Sequence, residues 1–216
     1  MRHAFTLALA LSLAAPQTSL TDLLSRASTY AVDFERRFAA VISAEHYEQH
    51  TVGGYERVGA RTITAPARDR AIDSEMLFVW LERERAWLAV RNVPAVDLRF
   101  LEPDSRPGFS FRLDGEETIG EMTTWKVTFT EERKHTFIQD APSHGTFWVA
   151  PDGVVLRTHL EVARRRDGIN GSVTVDYARD PKLQMVVPTA MHEVYTSLAP
   201  TGTIVQAESC RRNSLK

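Results

Sequence analysis

A β-hairpin stands out in GTFWVAPDGVVLRTHLEV, residues 145–162. Residues with a preference for strands occur on both sides of Pro151-Asp152-Gly153, and such runs bounded by turn residues are typical of paired strands. Pro, Asp and Gly in succession favour a tight turn, because Pro fixes its φ angle and Gly accepts positive φ. The stretch therefore predicts two antiparallel strands, 146–150 and 154–162, from which the rest of a sheet can be built outward.

Period-two alternation continues in both directions from this hairpin, and turn residues recur every eight to fifteen positions. About ten strands are expected between residues 44 and 208, with no helix between them. Their order favours an antiparallel sheet, because parallel strands need long crossover connections. The predicted connections are a hairpin of 44–52 with 55–63, a hairpin of 74–81 with 85–93, a turn at Asp114-Gly115, a turn at Asp167-Gly168, and a long connection 94–108 with an edge strand at 96–101.

One long helix is expected ahead of the strands, from residue 19 to about residue 43. Apolar residues recur there at steps of three and four, which gives a single apolar stripe. Ser19 and Asp22 stand at the spacing of a capping box. A helix with one apolar side must pack on another element, so the fold class is predicted as α+β. It consists of an N-terminal helix packed on a curved antiparallel sheet that forms an incomplete β-barrel.

The first residues indicate export. Arg2 and His3 precede an apolar run at 4–15, which has the length of a signal-peptide core and is too short to span a bilayer. We expect a signal peptide at 1–15 and a single domain at 16–216, in the periplasm or secreted. No cysteine stands directly after the run, so lipid modification of the N-terminus is not expected. The formal net charge of −2 argues against a nucleic-acid partner.

Signatures of catalysis are missing from the sequence. It contains no phosphate-binding glycine loop, no dinucleotide fingerprint and no G-x-S-x-G elbow. His46 and His50 in H-Y-E-Q-H look superficially like a zinc pair, but the Glu is at the third position, and ordinary strand histidines explain them. The acidic residues around Asp114 are interpreted as solvated charges. The single cysteine, Cys210, is interpreted as incidental. We therefore expect no enzyme, no catalytic residue, no metal and no cofactor.

The aromatic residues give the stronger clue, because they occur on nearly every predicted strand. One helix is a thin cover for a sheet of this size, so part of the aromatic set could line a cavity for an apolar ligand. The competing interpretation is an ordinary filled core. The candidate ligand-binding residues are Phe34, Phe38, Trp80, Phe111, Trp125, Phe147, Trp148, Tyr177 and Met191.

The second half of the chain resembles the superfamily of periplasmic lipoprotein carriers, the LolA/LolB-like proteins, and still more closely a group of uncharacterised secreted bacterial proteins. The resemblance is carried by FRLDGEE at 111–117 before WKVTF at 125–129, by GTFWV at 145–149 with Pro151-Asp152-Gly153, and by several positions from Val173 to Tyr195. It implies an open antiparallel barrel whose concave side binds acyl chains beneath a helix. It also implies that no covalent chemistry is involved.

Three interpretations follow from these observations. The first is a non-catalytic carrier for an apolar ligand, which could be a lipid, an acyl chain or a lipoprotein. The second is an interaction or sensor module with a filled core that binds another envelope protein. The third is an enzyme with polar groups gathered in a cleft, for instance around His46, Glu48 and His50. No transmembrane segment is expected once the leader is removed.

Overall fold

A computed structural model describes residues 18–38, 42–51, 54–58, 61–65, 67–77, 79–81, 86–88, 96–132, 141–164, 169–198 and 204–215. The predicted signal peptide at 1–15 and the predicted turn at Asp167-Gly168 lie outside these ranges. The elements are α1 (Leu20–Phe38), β1 (Ile42–Thr51), β2 (Gly54–Val58), β3 (Arg61–Ala65), β4 (Arg68–Leu77), β5 (Val79–Leu81), β6 (Ala86–Leu88), β7 (Phe109–Ile119), β8 (Met122–Glu131), β9 (Ser143–Val149), β10 (Val155–Arg164), β11 (Ile169–Asp180), β12 (Met185–Leu198) and β13 (Ile204–Leu215).

The helix α1 begins where the capping residues predict. The backbone N–H of Asp22 donates a hydrogen bond to Ser19 Oγ at 3.1 Å, which satisfies one of the free donors of the first turn. The helix ends at Phe38, a few residues before the predicted end, because β1 already pairs with β4 at Ile42. Its buried residues recur at helical spacing and form one stripe: Leu23, Ala27, Ser28, Ala31, Phe34 and Phe38.

The predicted α+β fold with an open antiparallel sheet is confirmed. Nine strands form one sheet in the order β4-β1-β13-β12-β11-β10-β9-β8-β7. Every pair of neighbours in it is antiparallel. The strands β4 and β7 are its two edges, so the sheet is not closed into a barrel. Two small sheets, β2-β3 and β5-β6, stand beside it.

The predicted hairpin of 44–52 with 55–63 is wrong. The strand β1 pairs along its length with β4 and β13, whereas β2 pairs with β3. Long-range pairing on both sides of β1 satisfies more of its backbone than the five-residue strand β2 could. The chain therefore does not return along β1 after Thr51, and Gly54 begins β2. The second predicted hairpin survives in shortened form as β5 with β6.

The predicted turn at Asp114-Gly115 is wrong as well. The strand β7 runs through both residues, and a bulge interrupts the register between Leu113 and Gly115, where Gly115 has a φ of 115°. The chain reverses later, between Ile119 and Met122, with Gly120 at a φ of 60°. Glycine at positive φ serves a bulge as readily as a turn. The acidic cluster around Asp114, which the predicted turn would place at a hairpin tip, is therefore divided: Glu121 lies at the tip, and Asp114, Glu116 and Glu117 lie in β7.

Residues 96–101, predicted as an edge strand, form a short 3-10 helix instead. Leu98, Phe100 and Leu101 are buried in it, and the three-residue step between the two leucines suits a 3-10 turn rather than an alternating strand. This helix contacts α1 and adds to the layer that covers the sheet. Among the described residues, no helix has the length and apolar character needed to cross a membrane.

Candidate functional site

The face of the sheet that packs against α1, called the inner face below, carries a continuous buried row. Val127 is opposite Phe147, Phe147 opposite Thr158, Thr158 opposite Val175, and Val175 opposite Met191. These five side chains belong to five neighbouring strands and are at most 3% exposed. We call this row the floor. Residues at alternate positions point to the opposite, outer face.

The stripe of α1 closes over the floor through aromatic rings. Phe34 stacks on Phe38 at 4.7 Å between ring centroids and meets Tyr177 edge-on at 6.4 Å. A polar contact anchors the end of the helix, since Arg37 Nη2 donates a hydrogen bond to the carbonyl oxygen of Leu183 at 2.9 Å. Burial, assisted by the negative charges of Asp152 and Asp33, raises the pKa of Tyr30 far above its ordinary value. The ring contacts of Phe34 and Phe38 and the burial of Tyr30 therefore make the interface between α1 and the sheet mainly apolar.

A second group of rings continues the layer toward β7. Phe129 stacks on Phe147 at 4.7 Å, and Phe100 stacks on Phe109 at 4.6 Å. Phe100 also meets Phe129 edge-on at 5.5 Å, so the two stacks are joined. Sequence reasoning did not select Phe100, Phe109 or Phe129 for the candidate site. The three-residue spacing of Leu98 and Leu101 is a helical signal, and it would have predicted Phe100 as part of the layer that covers the sheet.

The structure places the candidate residues in three environments. Five of them are at most 5% exposed in the layer between α1 and the sheet, namely Phe34, Phe38, Phe147, Tyr177 and Met191. Phe111 and Trp125 are partly buried and pack against this layer from its border. Trp148 lies on the outer face. Trp80 belongs to β5, and its side chain is outside the described residues.

Trp148 is held on the outer face by two cations. Its cross-strand neighbours are Lys126 and Arg157, and both cationic groups lie 5.8 Å from the centroid of its ring. Such distances are favourable for cation–π attraction. Trp148 therefore does not join the layer beneath α1, although it adjoins Phe147 in sequence.

The inner face becomes polar beyond the floor, toward β13 and β1. Glu193 is 4% exposed, and its carboxylate accepts hydrogen bonds from Ser209 Oγ and Tyr195 Oη, both at 3.0 Å. Glu45 on β1 is buried as well. A buried carboxylate needs such partners, because leaving it without them is costly. The inner face thus has an apolar part under α1 and a polar part next to it.

The outer face carries every histidine among the described residues, and each contacts a carboxylate. His46 contacts Asp73 at 2.6 Å and Glu48 at 3.1 Å, His192 contacts Glu208 at 2.6 Å, and His50 contacts Asp69. At the other end of the sheet, Glu161 lies between His144 at 3.0 Å and His159 at 3.1 Å. The latter group borders an open groove of about 440 Å³.

These contacts give Glu161 a testable titration. The hydrogen bond from His159, followed by the charges of His144 and His159, lowers the pKa of the Glu161 carboxyl below its usual range. Its contribution to stability is therefore present above the ordinary carboxyl pKa and is lost as the pH falls through the lowered folded value. We expect a ¹³C NMR titration to give a low midpoint for Glu161 that rises in His159→Leu. An unchanged midpoint in that variant would show that His159 does not bind Glu161.

No protein-family model matches the chain, and no curated protein matches it either. Solved structures do resemble it. One is a DUF1329 family protein from Desulfovibrio piger, with 11% identity over 86% of this chain and 90% of that chain and a TM-score of 0.33. Another is the LolA superfamily protein NE2245 from Nitrosomonas europaea, with 11% identity, coverage of 93% and 96% and a TM-score of 0.34.

A third similar structure is the Mycobacterium tuberculosis lipoprotein LppX, with 11% identity over 91% of this chain and 95% of that chain and a TM-score of 0.29. The fold itself is defined by the strand order of the nine-stranded sheet and by the position of α1 against its inner face.

Proposed function

We propose that this protein is a non-catalytic binding protein of the bacterial envelope that takes an apolar ligand between α1 and the floor. The ligand would be a lipid, an acyl chain or the acyl part of a lipoprotein. The observation that carries the proposal is the aromatic layer itself, in which Phe34 and Phe38 of α1 lie over a continuous buried row contributed by five strands, apolar at every position except Thr158. In this proposal residues 1–15 direct export and 16–216 form the binding domain.

An acyl chain can make the same apolar contacts with the floor that the stripe of α1 makes. Each methylene group removed from water contributes about 0.8 kcal/mol, so a chain of modest length can replace the rings of Phe34 and Phe38. Apolar contacts are non-directional, so α1 can shift on the floor if it gives up two long hydrogen bonds of 3.5 Å, from Tyr30 Oη to the Val186 carbonyl and from Arg106 Nη1 to the Leu24 carbonyl. The bond from Arg37 to Leu183 lies at the C-terminal end of α1 and would act as the pivot.

The polar part of the inner face supports binding rather than catalysis. The Glu193 carboxylate is occupied by Ser209 and Tyr195, and the described histidines lie on the other face of the sheet. A general base must reach a substrate proton, and these residues do not place one beside the floor. Glu193, Ser209 and Tyr195 suit instead the polar end of an amphipathic ligand whose chain lies under α1.

A second candidate function is an interaction module for another envelope protein. Its supporting observation is that five of the predicted lining residues are already packed to 5% exposure or less. The strands β4 and β7 are also open edges, and an extended segment of a partner can add to such an edge. In that case the aromatic layer would be a permanent core.

A matched pair of tryptophans separates the two functions. Trp125 and Trp148 are both partly buried on neighbouring strands, but Trp125 borders the inner face and Trp148 lies on the outer face. We expect native mass spectrometry of the mature protein from a bacterial periplasm to show a bound acyl lipid. Trp125→Glu should reduce the lipid occupancy about tenfold or more, because the ligand loses one apolar contact surface. Trp148→Glu should keep the lipid occupancy of the wild type.

Circular dichroism and denaturant unfolding of both variants serve as the check that each still folds. A protein that emerges empty, and stays empty with phospholipid vesicles or a lipopeptide, would exclude the carrier and favour the interaction module. Equal loss of lipid in both variants would show that the ligand does not lie on the inner face.

A further inference from the structure

The outer face of β12, β13 and β1 gathers side chains with metal-binding atoms. His192 is directly opposite Cys210, and Cys210 is directly opposite Glu48. In the adjacent row, Glu208 is directly opposite His50. Because alternate residues of a strand share a face, all five side chains project from the same side of the sheet.

Three of these residues already stand close together. The Nε2 atom of His192 lies 2.6 Å from Glu208 Oε1, and the ligand atoms of His192, Glu208 and Cys210 all lie within 4.8 Å of one another. Ligands around a tetrahedral zinc ion are about 3.5 Å apart. Side-chain rotation alone can close that difference, because the side chains of His192 and Glu208 are 45% and 46% exposed.

We propose that His192, Glu208 and Cys210 bind a divalent transition-metal ion, Zn²⁺ by the chemistry of the ligands. A thiolate, an imidazole and a carboxylate together suit an ion of borderline softness, and they do not suit Mg²⁺ or Ca²⁺, which take oxygen ligands. The site is independent of the apolar ligand proposed above, since it lies on the opposite face of the sheet.

His50 is directly opposite Glu208 on β1 and is the candidate for a fourth ligand once its side chain turns toward the ion. Its Nδ1 contacts Asp69, which leaves Nε2 as the ring nitrogen for a metal. A histidine ligand whose other nitrogen is held by a carboxylate is a common arrangement at zinc sites, because the carboxylate fixes the ring and strengthens its basicity. Glu48 adds a second negative charge beside Cys210.

Binding must release a proton. A free thiol carries its proton near neutral pH, and Glu208 and Glu48 place negative charges beside Cys210, whereas the thiolate is the form that binds a metal ion. When Zn²⁺ forms a bond to Sγ, the S–H bond breaks and the proton passes to the solvent. The cation also offsets the negative charges that disfavour the thiolate.

The experiment uses the full mature protein, freed of metal by a chelator and then titrated with Zn²⁺ by calorimetry in two buffers of different ionisation enthalpy. We expect binding with the release of about one proton. Cobalt(II) should give the absorption of a thiolate-to-metal charge transfer. Cys210→Ser and His192→Gln should each weaken Zn²⁺ binding at least about tenfold, and Cys210→Ser should remove the charge-transfer band.

His144→Gln provides the matched control, because His144 is on the same face and also contacts a carboxylate, Glu161, at 3.0 Å. It should bind Zn²⁺ as the wild type does. The proposal is overturned if the wild type binds no Zn²⁺, or if Cys210→Ser and His192→Gln both bind it as tightly as His144→Gln. Circular dichroism confirms that each variant is folded, and Cys210→Ser is nearly isosteric.

Discussion

Gly153→Ala should lower the free energy of unfolding by about 3 kcal/mol, through two effects that act at one atom. Gly153 has a φ of 94°, a conformation that an L side chain adopts only at a cost. A Cβ atom at this position would also lie 2.5 Å from the carbonyl carbon and Cβ of Arg26 and 2.8 Å from the nitrogen of Ala27. Because those atoms are mostly backbone, α1 must move away from the β9–β10 turn.

Gly120→Ala is the control for the first effect alone. Gly120 has a φ of 60°, and an added Cβ would meet nothing within 4 Å. Gly120→Ala should therefore lower the free energy of unfolding by only about 1 kcal/mol, because an L side chain destabilises the left-handed conformation by that amount. Urea unfolding followed by circular dichroism measures both variants. If Gly153→Ala costs no more than Gly120→Ala, then α1 does not rest on the β9–β10 turn.

The hairpin around Gly153 could be predicted because its signals are local. The structure has β9 and β10 on either side of the expected turn, since Pro151-Asp152-Gly153 determines the chain reversal without help from distant residues. The start of α1 at Ser19 is local in the same sense. These features need only a few neighbouring residues to specify them.

The partners of β1 could not be predicted, because they depend on residues far along the chain. Its neighbour β13 lies at the C-terminal end, and no pattern within 42–51 identifies it. The ambiguity at Asp114-Gly115 has a related origin, since the same dipeptide can form a turn or a bulge. The choice is made by the pairing of β7 with β8.

The candidate site shows the same division between local and distant information. Alternation places Phe147 and Trp148 on opposite faces of β9, but both residues are apolar, so the sequence does not reveal which one meets α1. The decision comes from cross-strand neighbours. Lys126 and Arg157 flank Trp148, whereas Val127 and Thr158 flank Phe147, and these neighbours are known only once the register is known.

Phe147→Ala should lower the free energy of unfolding by about 4 kcal/mol. The ring of Phe147 is fully buried in the floor and stacks on Phe129 at 4.7 Å. Its removal loses the transfer free energy of the ring and leaves a cavity that neighbouring strands cannot close, because their backbones are fixed by pairing. Met122→Ala, at an exposed position with 46% of its surface accessible, should change stability by less than about 0.5 kcal/mol.

The same variant tests whether the floor holds a ligand. A cavity opened at Phe147 adds room beneath α1, so an acyl ligand bound there should restore part of the lost stability by linkage, by about 2.7 kcal/mol when its free concentration is a hundred times the Kd. We expect a fatty acid to raise the urea midpoint of Phe147→Ala. The shift that the fatty acid causes in Met122→Ala should equal the shift that it causes in the wild type. If the fatty acid shifts Phe147→Ala and the wild type by nothing, the aromatic layer is a permanent core, and binding must be sought at the sheet edges β4 and β7.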